Sequence, residues 1–209
     1  MKQSDAVSHT RGESQYVDDM PQPSEMLYAA VFSSPVMHGK ITALHIQDAC
    51  SMDGIVAVLT SKDIPGENQI GPIVQDEELL ASEEVCYVGQ PVALVIGTSP
   101  EIARRGVKMI TVDIEQLPAI TDPKEAFSKG KTIGSPRTFI LGDAEATWQK
   151  CDHVLEGSCD IGGQEHVYLE TQRTRAIPLE ENNLCIYSAT QGPSAVQRHA
   201  AKVLGLPAH

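Results

Sequence analysis

Residues 91–116 read PVALVIGTSPEIARRGVKMITVDIEQ and combine an apolar strand, a helix and a second strand in one short stretch. Pro91–Ile96 is an apolar run of strand length. Ser99 can accept a hydrogen bond at the start of a helix, and Pro100 suits the first helical position. Val112–Glu115 resumes as a strand. This order predicts a βαβ-like unit or its antiparallel relative, and an α/β (α+β) fold class for the chain.

The predicted helix carries one apolar stripe, formed by Ala103, Val107 and Ile110. Gly106 lies near this stripe. Because glycine has no Cβ, we expect Gly106 to let the helix approach a sheet closely.

Residues 12–122 are predicted to form one compact domain after a disordered N-terminus at residues 1–11. Strands are predicted upstream of the opening stretch at Met26–Phe32, Lys40–Ile46 and Ile55–Leu59. The third of these runs is apolar throughout, so we expect it to be buried on both faces. A short helix is predicted at Gln47–Met52, and a loop-rich stretch at residues 61–84.

Residues 123–150 are predicted to be a linker with a short helix, and residues 151–209 a second block. The second block is predicted to hold three strands and a helix, at His153–Ile161, Thr174–Leu179, Leu184–Ala189 and Pro193–Leu204, with Gly205 ending the helix. So small a fragment needs a sheet to cover it. We therefore expect this block to be the truncated start of a larger domain, or to need a partner.

The composition excludes several classes of function. Lys and Arg number 16 against 28 Asp and Glu, which gives a net charge of −12, so nucleic-acid binding is not expected. The apolar runs are far shorter than the roughly 20 residues that span a bilayer, so no membrane partner is expected. The five cysteines form no C-x-x-C pair. We expect them to be reduced, mostly buried thiols in a cytoplasmic protein.

A glycine pair followed by three polar residues stands out at Gly162–His166, which reads GGQEH. The glycines permit close approach of a ligand, and the polar side chains could face it. The alternative is a glycine-bulged strand whose polar side chains satisfy local backbone groups, and spacing alone favours it. His166 and Glu170 lack a third ligand and lie in a stretch predicted to be extended, so no metal ligand is assigned.

Several motifs together resemble one family. Ile161–Thr171, reading IGGQEHVYLET, and Thr190–Pro207, reading TQGPSAVQRHAAKVLGLP, resemble the start of the molybdenum-cofactor domain of xanthine dehydrogenases and aldehyde oxidases. The first block resembles that family's a/b hammerhead domain through YVDDMP at residues 16–21, SPVMHGKI at 34–41 and YVGQPVAL at 87–94. These motifs recur in order across about residues 10–207.

The resemblance implies site residues. In the family, the glutamine of GGQEH lies beside the molybdenum and hydrogen-bonds an oxygen ligand of the metal, and that position is Gln164 here. A glutamine amide is a neutral donor that can stabilise charge near a metal. Gln164 is thus the expected catalytic residue, and Gly162, Gly163 and Gln164 the expected cofactor-binding residues. The resemblance gives supporting roles to Glu165, His166 and Glu170.

The family resemblance also implies an activity: hydroxylation of a purine, another N-heterocycle or an aldehyde with water as the oxygen source, xanthine being the first choice. Val167 departs from the bulky aromatic residue often found there, which weakens the choice of substrate. The implied cofactor is molybdopterin in its dinucleotide form, with [2Fe–2S] and FAD on partner subunits, as in bacterial relatives. The glycine-rich GGGFGGKE stretch and the glutamate base are absent from these 209 residues. We therefore expect the chain alone to bind no molybdenum stoichiometrically and to be inactive.

Two other interpretations stay open. The chain could be a non-catalytic hammerhead scaffold for subunit assembly, which a stop codon after His209 would favour over GGGFGG-type sequence there. It could also be an unrelated small α/β binding protein, which a first block without hammerhead topology would support.

Overall fold

The structure is a computed structural model that describes residues 5–208. Its elements in chain order are α1 (Ala6–Arg11), β1 (Tyr28–Ser33), β2 (Gly39–His45), α2 (Gln47–Cys50), β3 (Ile55–Thr60), β4 (Glu84–Val85), β5 (Pro91–Gly97), α3 (Pro100–Val107), β6 (Thr111–Gln116), α4 (Pro123–Ser128), α5 (Ala144–Trp148), β7 (Thr174–Pro178), β8 (Leu184–Ser188) and α6 (Pro193–Leu204). Short 3-10 helices occupy Val17–Asp19, Ser61–Asp63 and Glu180–Asn182.

The chain divides into two compact units. The first comprises Met1–Ala119 together with Glu170–His209, and the second is Ile120–Leu169. The β7–β8 hairpin and α6 therefore pack with the first block of the chain. Residues 151–169, expected in the same block as that hairpin, belong to the second unit.

The described part of the first unit contains two three-stranded antiparallel sheets, in the orders β1-β5-β3 and β4-β2-β6, and the two-stranded antiparallel sheet β7-β8. Strands β5 and β6 thus lie in different sheets, and no parallel pair joins them. The prediction of a βαβ-like unit or its antiparallel relative is wrong, because β5 and β6 do not share a sheet, while the mixed helix-and-sheet class is confirmed. In both three-stranded sheets, each strand pairs with strands from other parts of the chain, and local periodicity does not encode that choice.

The core of the first unit surrounds the central strand β5. Ala93 and Val95 are fully buried in one apolar cluster, and Val92 is buried in a second cluster on the other side of the strand. Strand β5 is thus covered on both faces. The expectation that Ile55–Leu59 is buried on both faces is wrong, because β3 is an edge strand whose Val56 is 56 % exposed and Leu59 36 % exposed.

Helix α3 begins and packs as its sequence predicts. The Ser99 hydroxyl oxygen accepts a hydrogen bond from the Ile102 N–H at 3.2 Å. The helix packs against β1 and β5. A Cβ on Gly106 would lie 2.8 Å from Val95 Cγ1 and 2.8 Å from Ile55 Cδ1, so the close approach requires glycine.

Helix α6 ends as predicted at Leu204 and docks on a loop of the same unit. The Gly66 N–H donates to the Val203 carbonyl at 2.8 Å, and the Glu67 N–H donates to the Lys202 carbonyl at 3.1 Å. These two carbonyls lie in the last turn of the helix, where backbone acceptors lack intrahelical donors. The loop thus caps the helix from outside.

Three expectations differ from the structure. Ala6–Arg11 forms a helix where disorder was expected, and residues 1–4 lie outside the described residues. The linker holds two helices where one short helix was expected: α5 matches the expected helix at Asp143–Lys150, and α4 is additional, with the Asp122 side chain accepting from the Glu125 N–H at 2.7 Å as its cap. The cysteines are not mostly buried, because four of them lie on exposed loops or helix ends: Cys50, Cys86, Cys151 and Cys159.

Candidate functional site

The segment that carries the GGQEH motif has no regular secondary structure. The predicted strand at His153–Ile161 is wrong, because residues 149–173 contain no helix or strand in the described structure. An extended run becomes a strand only beside a partner, and none of the described strands pairs with it. Gln164 therefore stands on an irregular loop rather than at the end of a strand.

The three predicted cofactor-binding residues are exposed. Gly162, Gly163 and Gln164 are neighbours in sequence, and nothing lies within 4 Å of a Cβ built on either glycine. The Gln164 amide has no hydrogen-bond partner among residues 5–208. These residues are therefore together only because they are adjacent in sequence. The NH2 and C=O groups of the Gln164 side-chain amide are both available.

A tight turn follows Gln164. One Glu165 carboxylate oxygen accepts from the His166 N–H at 3.0 Å and from the Val167 N–H at 3.4 Å. Val167 has a φ of 52°, a left-handed conformation that is costly for a β-branched residue. Glu165 therefore satisfies the local backbone, and its carboxylate is engaged in the turn.

Residues 170–175, which follow the loop, contact residues 17–21 within the first unit. The Val17 N–H donates to Glu170 Oε1 at 2.8 Å. Farther along, Arg173 Nε lies 3.0 Å from Asp18 Oδ2, and Arg175 Nη1 donates to the carbonyl of Pro21 at 2.8 Å. These contacts fasten the segment after Gln164 to the 3-10 helix at Val17–Asp19 and the residues beside it.

Other site chemistries find no support in the described part of the chain. Residues 5–208 hold no group of three His, Cys, Asp or Glu side chains that could bind a metal ion. Partial desolvation, and then the carboxylates of Glu84, Glu78 and Asp76, raise the pKa of the exposed Cys86, so that its thiol is not an activated nucleophile. None of the helices in the described range is both long and apolar enough for a bilayer crossing.

Family models match both parts of the chain. Residues 11–118 match the a/b hammerhead domain of aldehyde oxidase and xanthine dehydrogenase, and residues 128–209 match the molybdopterin cofactor-binding domain. The chain belongs to the aldehyde oxidase and xanthine dehydrogenase family. Within this family, the exposed GGQEH loop falls in the domain that binds the molybdenum cofactor.

Relatives in this family align with almost the whole chain. Xanthine dehydrogenase of Calliphora vicina is 37% identical over 207 residues, which are 98% of this chain and 15% of the relative. Aldehyde oxidase 2 of Cavia porcellus is 34% identical over 203 residues, or 96% of this chain and 15% of the relative. The chain thus spans about 15% of the length of these curated relatives.

Solved structures of two oxidoreductases share the fold. The aldehyde oxidoreductase of Desulfovibrio gigas superimposes with a TM-score of 0.85 at 25% identity, covering 98% of this chain and 25% of that one. Quinoline 2-oxidoreductase of Pseudomonas putida 86 gives a TM-score of 0.79 at 25% identity, covering 99% of this chain and 28% of that one.

The sequence led to Gln164 but not to the contacts that hold its loop. Glu170 was expected to support the site, yet its partner Val17 was not anticipated. The two residues lie 153 positions apart, and no local periodicity links them. Only co-variation between the YVDDMP and YLET motifs could have signalled this contact.

Proposed function

We propose that this chain is the part of the molybdenum-binding subunit of a xanthine dehydrogenase-type hydroxylase that presents Gln164 to the cofactor. One observation carries the proposal. Within the segment that matches the molybdopterin cofactor-binding domain, Gln164 is exposed and has no partner for its amide among residues 5–208. A polar side chain kept free on a loop is available to a ligand.

The donor chemistry of the loop fits such a cofactor. Gln164 offers a neutral N–H that can donate to a ligand of the metal without competing for coordination. Gly162 and Gly163 have open space where a Cβ would stand, so a large planar group can approach their backbone. When bound, the cofactor supplies the redox chemistry, while Gln164 orients and stabilises the group that it touches.

Exposed apolar side chains support a partner for the second unit. Ile140 is 77 % exposed, Leu155 96 % and Leu169 83 %. Apolar surface of this extent is typical of an interface. We propose that the remainder of the molybdopterin domain covers it, with iron–sulfur and FAD subunits and a cytoplasmic location completing the enzyme. The dinucleotide form of the cofactor belongs to the same proposal.

The proposed substrate is a purine, with another N-heterocycle or an aldehyde as alternatives. The resemblance to xanthine dehydrogenases at 36% to 37% identity supports xanthine as the first choice. The relatives named as aldehyde oxidase and quinoline 2-oxidoreductase support the alternatives. Screening the complete enzyme against xanthine, hypoxanthine, nicotinate and simple aldehydes decides among them.

Replacing Gln164 tests the proposed role. In the complete enzyme, we expect Gln164→Ala to lower kcat by roughly 100-fold to 1,000-fold, the usual cost of losing one donor that stabilises developing charge. Gln149→Ala is the control, because Gln149 is also exposed but lies at the end of α5. Molybdenum content should stay equal in the two variants. Equal kcat in both variants would refute the role and would favour the hammerhead scaffold instead.

The isolated 209-residue chain gives a second test. We expect purified chain to contain far less than one molybdenum per polypeptide. The reason is that residues 161–169 are exposed, so no described residue encloses a cofactor bound at the loop. Metal analysis that finds one molybdenum per chain would contradict this expectation.

A further inference from the structure

A wide groove of the first unit has the size of a ligand site. Its volume is about 890 Å³. The wall is formed by residues between 17 and 30, by β5, by α3 and by residues at the start of β7, and all of them belong to the first unit. Pockets for drug-sized molecules have volumes of roughly 300–1,000 Å³, so the groove can hold one such molecule.

The charge of the groove is opposite in sign to that of the chain. Three arginines and one aspartate line the groove, which gives a local charge of +2 in a chain of net charge −12. The charged residues are Asp18, Arg104, Arg173 and Arg175. A cleft lined by one sign of charge raises the local concentration of ligands of the other sign. The groove is therefore suited to an anion.

Two of the arginines are held in place and keep donors for a ligand. Arg173 Nε lies 3.0 Å from Asp18 Oδ2, and Arg175 Nη1 donates to the Pro21 carbonyl at 2.8 Å. A guanidinium carries five N–H donors, and each of these contacts engages one nitrogen. The remaining donors suit the oxygens of a carboxylate, a sulfonate or a phosphate.

Arg104 adds a third guanidinium from α3. Its Nη1 lies 3.9 Å from Glu101 Oε1, which is beyond the distance of a hydrogen bond, and its side chain is 65% exposed. Of the three arginines in the groove, Arg104 thus has the longest contact with the protein. Its charge is available to a ligand.

Apolar side chains line another part of the groove. Met20 and Met26 come from the segment before β1, and Leu94 comes from β5. Methionine side chains are flexible and adapt to apolar ligands of different shapes. The segment beside them is held in place, because the Tyr28 hydroxyl donates to Gln22 Oε1 at 2.9 Å. An occupant therefore needs an apolar body as well as an anionic group.

We propose that this groove binds an amphipathic anion, a molecule with one carboxylate, sulfonate or phosphate group on an apolar body. A long-chain carboxylate is the simplest molecule of this class. The proposal goes beyond the proposed function and does not depend on it, because Gln164 is not among the residues that line the groove. The volume favours one small molecule over a macromolecular partner.

Titration calorimetry of the 209-residue chain with dodecanoate tests the proposal. Dodecanoate should bind at one site per chain, and added NaCl should weaken the binding because salt screens exposed charges. Dodecylamine has the same apolar chain with the opposite charge, and acetate has the charge without the chain. Each should bind at least about tenfold more weakly than dodecanoate, since each lacks one of the two matched contacts. Equal affinity for dodecanoate and dodecylamine would overturn the proposal.

Two neighbouring arginines of α3 provide a matched pair of variants. Arg104 and Arg105 are both exposed, but only Arg104 lines the groove. We expect Arg104→Glu to weaken dodecanoate binding by roughly tenfold, the usual effect of losing one charge-assisted hydrogen bond. Arg105→Glu changes the net charge equally and should alter the affinity by less than about twofold, because exposed charges outside the groove are screened. Equal losses in the two variants would overturn the assignment to the groove.

Methionine methyl resonances locate the bound probe. Dodecanoate should shift the methyl signals of Met20 and Met26, which line the groove. The signals of Met37 and Met109 are the control, because these side chains are 53% and 46% exposed and lie outside the groove. Equal shifts at all four methionines would show general adsorption to apolar surface and would overturn the proposal.

Three results would assign the groove to another occupant, and each would overturn the proposal. A chain dimer that Arg104→Glu dissociates would assign the groove to a second copy. Tighter binding of hexaglutamate than of dodecanoate would assign it to an acidic peptide. Equal dodecanoate affinity of the parent and Arg104→Glu forms of the complete enzyme would show that the rest of the enzyme covers it. An inactive complete enzyme that binds dodecanoate through Arg104 would instead contradict the proposed function alone.

Discussion

The contact between α6 and the Gly66 loop offers a sharp test of the packing in the first unit. A Cβ on Gly66 would overlap the carbonyl oxygen of Lys202 and lie 2.6 Å from the Gly205 nitrogen and 2.8 Å from the Val203 oxygen. All three are backbone atoms, which cannot rotate away as a flexible side chain could. We therefore expect Gly66→Ala to push the loop off the end of α6.

The cost of Gly66→Ala follows from the bonds that break. The N–H groups of Gly66 and Glu67 each donate to the end of α6, and one such bond contributes about 1 kcal/mol net. The ion pair between Lys202 and Glu67 adds little, since the Glu67 side chain is 70% exposed. The free energy of unfolding should fall by about 2 kcal/mol, which lowers Tm by roughly 4–8 °C in a chain of this size.

The assay is thermal unfolding of the 209-residue chain, followed by calorimetry, beside a matched glycine variant. Gly157→Ala is the control, because nothing lies within 4 Å of the added methyl group. Its Tm should stay within about 2 °C of the parent, since a surface substitution costs less than roughly 0.5 kcal/mol. A Gly66→Ala Tm equal to that of Gly157→Ala would refute the backbone-overlap reasoning.

Substitutions at three further positions of the first unit test its packing, capping and charge. Gly106→Val should cost roughly 1–3 kcal/mol, because a Cβ already comes within 2.8 Å of Val95 Cγ1; an unchanged urea midpoint would contradict this. Ser99→Ala should cost about 1 kcal/mol through the lost cap on α3, and Ser99→Asp should recover most of it in the same urea assay. The Pro118 carbonyl and the Glu84 carboxylate raise the pKa of His38, since only a protonated ring can donate to both at 2.8 Å. The decrease in the free energy of unfolding caused by His38→Gln should therefore be largest below about pH 6.5 and should become smaller as pH rises through the raised pKa. An equal decrease at every pH from about 6 to 9 would contradict this prediction.

Strands and helices with strong local patterns were predictable from the sequence. Helix α6 has the predicted bounds, and α3 begins where Ser99 and Pro100 place it. These elements carry their own signals: a cap, a proline at the first turn and an apolar stripe. The two-residue strand β4 and the helix α4 were missed, since β4 is too short for any period and α4 lies among prolines and glycines.

Pairing between strands was not predictable in the same way. The sequence predicts a strand at Pro91–Ile96 and another at Val112–Glu115, but only the folded chain puts β5 between β1 and β3, and β6 beside β2. Burial of β3 was overestimated for the same reason: an apolar run does not show whether its strand lies at the centre or at the edge of a sheet. The location of the GGQEH motif followed from sequence, whereas its loop conformation depends on partners that no local pattern specifies.

The two parts of the chain meet opposite physical demands. The apolar side chains around β5 bury one another, so the apolar pattern of residues 91–116 predicts their strands and helix well. Gln164, which we propose to serve the cofactor, keeps its side-chain amide without a partner among residues 5–208. A residue that serves a ligand must leave its polar atoms available for that ligand, so a segment of this kind encodes less of its own structure than a packed core does.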